Sequence, residues 1–86
     1  MIIPNTVLLI DEFAFYDNLL TSIIIPGSVS SIKHGAFLEN PLTSITIGKN
    51  VKFADNVFYN EFNYYYNRNR RRAGTYIYIN GEWRLQ

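Results

Sequence analysis

The sequence predicts a mostly β fold made of stacked 22-residue coils and closed at its C-terminal end by a β-hairpin. Three observations carry this expectation. The chain lies on itself when slid by 22 residues, the segments TSIIIP and TSITIG are β-branched and alternate in polarity, and TYIYI-NG-EWRL places an Asn-Gly pair between two alternating runs. Asn-Gly in that setting is a strong hairpin signal, because both central residues of a type I′ turn need positive φ.

The repeat comes first. IIPNTVLLIDEFAFYDNLLTSI (2–23) and IIPGSVSSIKHGAFLENPLTSI (24–45) are identical at 12 of 22 positions. A looser third copy occupies 46–61: Ile47 and Val51 keep register, Gly48 stands where the proline was, and one residue is missing after Val51. With that deletion Phe53, Val57 and Phe58 fall on the Ile, Ala and Phe positions. In Leu42-x-x-Ile45-x-Ile47 the apolar side chains point inward while Ser44 and Thr46 point to the other face. Pro26 removes a backbone donor and turns the chain out of the strand. Val29 and Ile32 point inward on the return, and Ala36-Phe37 close the turn. No segment shows a sustained helical period. A single coil cannot bury its own apolar edge, but stacked coils share one core.

The pattern LTSIIIPGSVSSIKHGAF, with its L-x-x-I-x-I opening, closely resembles the BspA-like leucine-rich repeat family over residues 2 to about 60. That resemblance implies a right-handed leucine-rich-repeat solenoid with a parallel strand ladder on one face and short strands or tight turns on the other. It also implies a bacterial surface or secreted protein that binds other proteins, host matrix or surface proteins among them.

Residues 62–86 read as a cap on the repeats of 1–61. Phe62-x-x-Tyr65 repeats the spacing of Leu20-x-x-Ile23 and Leu42-x-x-Ile45, so it predicts a fourth strand rung with aromatics in place of aliphatics. NRNRRRAG is a polar loop, and the hairpin Tyr76–Ile79 with Trp83–Leu85 follows it. Tyr76, Tyr78 and Trp83 fit an amphipathic cap, with rings over the last rung and hydroxyls in water. The other reading of these aromatics is stacking on bases or sugars, with Arg68, Arg70, Arg71 and Arg72 holding phosphates. No nucleic-acid module surrounds them.

Charge is uneven along the chain. Residues 1–61 hold three lysines against six acids, whereas 62–86 hold five arginines against Glu82, a basic end on a faintly acidic body. Eighty-six residues make one small domain or a portion of a larger one. There is no cysteine, so no disulfide or thiolate metal site can form. No apolar run approaches the roughly 20 residues that a spanning helix needs. MIIPNTVLLIDEF lacks the basic start and small-residue cleavage site of a signal peptide.

No chemistry converges. His34 is the only histidine and takes the place of Glu12 in the repeat, so it reads as a solvent-facing loop residue. The serines of PGSVSS belong to the repeat and form no G-x-S-x-G elbow. Asp11 and Glu12 are adjacent and point apart on an extended chain. The chain therefore reads as a non-enzyme without cofactor or metal. Two functional readings stand. One is a protein-interaction or adhesion module acting through the ladder residues Ser22, Ile24, Ser44 and Thr46, with Ile2 exposed on the first rung. The other is a purely architectural C-terminal end of a longer array. Polyanion binding through Arg68 and Arg70–Arg72 is a third and weaker reading. The half-length first rung predicts either a longer solenoid upstream or self-association through an N-terminal edge exposing Ile3, Val7, Ile10 and Phe15.

Overall fold

The computed structural model describes all 86 residues. In chain order its elements are β1 (Leu9–Ile10), β2 (Ser22–Ile25), β3 (Ser31–Ile32), β4 (Ser44–Ile47), β5 (Lys52–Phe53), α1 (Phe62–Arg68), β6 (Gly74–Ile79) and β7 (Glu82–Leu85). Two sheets face each other across the core. The ladder strands and the hairpin form a four-stranded sheet in the order β2-β4-β6-β7, and the return strands form a parallel sheet β1-β3-β5.

Register follows the repeat. β2 and β4 pair parallel with Ser22 opposite Ser44 and Ile23 opposite Ile45, and a bridge from Ile2 to Ile24 adds the outermost rung. In the return sheet Ile10, Ile32 and Phe53 lie side by side. The one-residue deletion in the third copy is thus absorbed before β5, and Phe53 stands on the Ile position. Alternation sorts the faces: in β2 and β4 the isoleucines 23, 25, 45 and 47 are buried, while Ser22 and Ile24 are exposed.

One side-chain column and one buried amide tie the stack together. Phe15, Phe37 and Phe58 stack with centroids 5.3 and 5.2 Å apart and planes within 4° and 2° of parallel. Asn40, buried, ties neighbouring repeats: its amide nitrogen donates to the carbonyls of Phe15 and Phe37, and its carbonyl accepts from Leu20 N–H. Each turn also uses the left-handed conformation twice, at Phe13, Gly35 and Asn56 (φ 54°, 69° and 57°) and at Asp17, Glu39 and Asn60 (φ 56°, 61° and 58°).

The terminal segment departs from expectation. Phe62–Arg68 is a helix, not a fourth strand. Phe62 and Tyr66, four apart, form one buried helical face. At the position where the ladder pattern demands an inward Ile47-like residue, the sequence has Asn67, so the strand could not have closed its core face. The hairpin forms with the expected register, Tyr78 opposite Trp83 and Ile79 opposite Glu82, and Asn80 and Gly81 both have positive φ. It pairs antiparallel with β4, Ser44 opposite Ile77 and Thr46 opposite Thr75, and so widens the ladder sheet.

The predicted apolar N-terminal edge is also corrected. Ile3 and Ile10 are buried, and Val7 and Phe15 pack half-buried on the core, because these inward positions meet the second repeat. The large apolar residues left in water there are Met1, Ile2, Leu8, Leu9, Phe13, Tyr16 and Leu19.

Candidate functional site

The outward side chains of the four-stranded sheet form two rows across its strands. One runs Ile2, Ile24, Thr46, Thr75; the other runs Ser22, Ser44, Ile77, Arg84. Ser22 and Ile24 are exposed, and Ser44 and Thr46 are half-buried because β6 lies against β4. The Thr46 and Thr75 hydroxyls meet at 2.8 Å, fixing the two rotamers across the β4–β6 junction. Sequence reasoning named the first two strands of this surface and missed Thr75, Ile77, Ile79 and Arg84. Alternation in TYIYI already separated Thr75, Ile77 and Ile79 from Tyr76 and Tyr78. What it could not show is that the hairpin joins the ladder instead of lying across it.

The arginines do not act as a set. Arg68, Arg70 and Arg72 are exposed, but Arg71 is half-buried and its guanidinium donates to the Val51 carbonyl at 2.6 Å. Its backbone carbonyl also accepts from Asn50 N–H. Arg71 is thus tied to the third repeat and is not free to take a phosphate.

The aromatics split likewise. Tyr66, Tyr76 and Trp83 are buried, Tyr78 is half-buried and Tyr64 is exposed. The buried hydroxyls do not reach water as expected: Tyr76 donates to the Arg72 carbonyl at 2.7 Å, and Tyr66 donates to Gly48 O at 2.6 Å while accepting from Val51 N–H. Burial pushes the Tyr76 phenol up to about 12, and burial also raises that of Tyr66. The fully buried Tyr66 and Tyr76 rings cannot stack on a ligand.

Two hollows remain. One, of about 330 Å³, opens at the N-terminal end among Ile2, Ile3, Val7, Leu9 and Phe15. The other, of about 310 Å³, lies between α1 and β7. His34 is exposed, with Nδ1 3.0 Å from the Asp55 carbonyl and its ring edge-on to Phe13. No three His, Asp or Glu side chains come together as a metal would require. No helix is long and apolar enough to cross a membrane.

The family model for the BspA type leucine rich repeat region (6 copies) matches residues 1–69. The chain belongs to this family. Neither a curated protein nor a solved structure matches it. The parallel strand rows fit the repeat fold of the BspA-type leucine-rich repeats. The match extends through α1, so the helix lies within the stretch the family model covers. A leucine-rich repeat of this kind suggests a module that binds proteins.

Proposed function

We propose that this BspA-type repeat protein is a non-enzymatic protein-interaction module that binds through the outer face of its four-stranded sheet. The observation that carries this reading is the composition of the two cross-strand rows. Ile2, Ile24 and Ile77 stand among Ser22, Ser44, Thr46 and Thr75, and charge enters only at the far edge, at Arg84 and the Glu82 beside it. Such a surface costs little to desolvate, and its hydroxyls can meet a partner's backbone. On this reading residues 1–61 are a right-handed solenoid and 62–86 its cap. The place of action is a bacterial surface or its surroundings, and the partner is a host matrix or surface protein. The exposed apolar residues of the first repeat additionally support self-association through the N-terminal edge.

The test is binding to purified matrix proteins by surface plasmon resonance, with Ile24→Asp and Thr46→Arg as variants. A charge placed in the middle of the face is expected to weaken binding by at least about tenfold, with circular dichroism unchanged. Undiminished binding by both folded variants overturns the assignment of the face. Polyanion binding is the second reading, favoured only by the exposure of Arg68, Arg70 and Arg72. It is separated by its steep loss of affinity between low and moderate salt.

A further inference from the structure

The free edge of the four-stranded sheet is β7. In an antiparallel pair, alternate residues bond to the partner strand while those between turn their N–H and C=O away. The 79–82 pairing across the two-residue turn, and the 2.9 Å bond from Gln86 N–H to the Thr75 carbonyl, place Glu82, Arg84 and Gln86 on the bonded side. The backbone groups of Trp83 and Leu85 therefore face outward.

They face a groove. Tyr65 and Arg68 of α1, with Asn69 at its C-terminal cap, form its far wall, and Glu82 to Leu85 form the near one, around a space of about 310 Å³. Asn69 is already engaged, its amide donating to the Tyr65 carbonyl at 2.8 Å. Arg68 has no carboxylate partner, and Arg84 meets only Glu82, at 3.5 Å across an exposed pair. Across residues 62–86 five arginines face one acid.

We propose that this groove binds an extended acidic peptide segment, which adds a fifth strand to the sheet antiparallel or parallel to β7. The open N–H and C=O groups of Trp83 and Leu85 supply the main-chain pairing, and Arg68 and Arg84 meet carboxylates on the two sides of the added strand. Charge selects this occupant. A second copy pairing edge to edge with Trp83 opposite Leu85 would bring Arg84 against Arg84, and in any register it sets side by side two segments of five arginines to one acid each, which like-charge repulsion opposes. A nucleic acid or glycan could meet the arginines, but it has no strand backbone to satisfy the open edge. The groove shares Arg84 with the rim of the outer sheet face proposed above but none of the residues at the centre of that face, so Ile24→Asp and Arg68→Gln distinguish the failure of one from that of the other.

The experiment uses the 86-residue chain and a fluorescein-labelled peptide of alternating Glu and Val, read by anisotropy. Its controls are the Lys-for-Glu peptide, the same acidic peptide N-methylated at alternate residues, and single-stranded DNA. The acidic peptide is expected to bind saturably, and Arg68→Gln with Arg84→Gln to weaken it by about tenfold or more. N-methylation, which needs no change to the protein, is expected to remove binding, and Ile24→Asp to leave it intact. In an NMR titration the Trp83 and Leu85 amides are expected to shift. Equal binding of the N-methylated or Lys peptide, displacement of the peptide by DNA with unchanged Trp83 and Leu85 amides, or no saturation up to about 1 mM overturns the proposal. Growth of a dimer at the β7 edge without peptide overturns it in favour of a second copy.

Discussion

Phe37 sits between Phe15 and Phe58 and is 1% exposed, so its ring touches a parallel ring on each side. Phe37→Ala removes both contacts and leaves a cavity that neighbouring coils, held by backbone bonds, cannot collapse; it is expected to cost about 3–5 kcal/mol in urea unfolding. That is a large share of the roughly 5–15 kcal/mol a small domain commands. A loss below about 1 kcal/mol would put the column out of register. Tyr66 makes a different demand. In the first two repeats the turn closes with Val7 N–H on Pro4 O and Val29 N–H on Pro26 O, both at 3.1 Å. In the third, the Tyr66 hydroxyl is inserted between Val51 N–H and Gly48 O. Tyr66→Phe leaves two buried backbone groups without partners and is expected to cost about 1–3 kcal/mol. A cost near zero would mean that the turn recloses directly, as in its two predecessors. Gly48 also packs against the preceding repeat: a Cβ there would lie 2.7 Å from the Gly27 Cα, so a proline in its place would clash with that backbone.

At the scale of elements, the strands and the hairpin were legible because their signals are local. Period-2 alternation names the buried isoleucines, and Asn80-Gly81 names the turn. Gly81 has φ of 82° and open space where a Cβ would stand, so Gly81→Val tests backbone conformation alone. It is expected to destabilise the chain by about 1–2 kcal/mol, the cost of holding an L-residue in the left-handed region. An unchanged melting temperature would show that the hairpin contributes nothing to the cooperative unit. The helix was not legible because Phe62-x-x-Tyr65 fits a strand rung and a helical turn equally well; Tyr66 at i+4 and polar Asn67 decide it only once the ladder's full spacing is applied. The left-handed positions were hidden too: Gly35 and Asn56 are residue types that enter this region readily, but Phe13 at the equivalent place is not, so the three do not read as one position. Helix and hairpin together set a pH limit. Tyr76 is raised from 10.0 to about 12. The unfolded chain therefore loses this proton at lower pH than the folded one, and the stability linked to it is complete below about pH 10 and lost as pH rises toward 12. Urea midpoints are expected to fall across that window, and less so in Tyr76→Phe.

For the whole molecule the two ends of the stack are unlike. At one end α1 and the hairpin set Phe62, Tyr66, Tyr76 and Trp83 against the third repeat, all buried. At the other, Ile2 is 71% exposed and Leu19 90% exposed, with Leu8, Leu9 and Phe13 between them and an apolar hollow of about 330 Å³ beside them. Met1 to Ile3 are held to β2 by bonds on one side only: Ile3 N–H to Ile24 O, and Ile24 N–H to Met1 O. The other side of this rung is an open strand edge flanked by apolar side chains, the combination that recruits another chain. β4 already accepts an antiparallel strand, β6, on its own open side, so an antiparallel neighbour on the first rung is compatible with this sheet. The 86-residue chain is therefore expected to self-associate at micromolar concentration, with mass by light scattering rising with concentration and apparent stability rising with it. Leu8→Glu and Ile2→Glu together place charge on the exposed edge without touching a buried side chain, and are expected to return the chain to a monomer of unchanged fold. A sharp, concentration-independent unfolding transition of a monomeric wild type would show that three repeats and their C-terminal cover are sufficient alone, and that the apolar edge is tolerated in water.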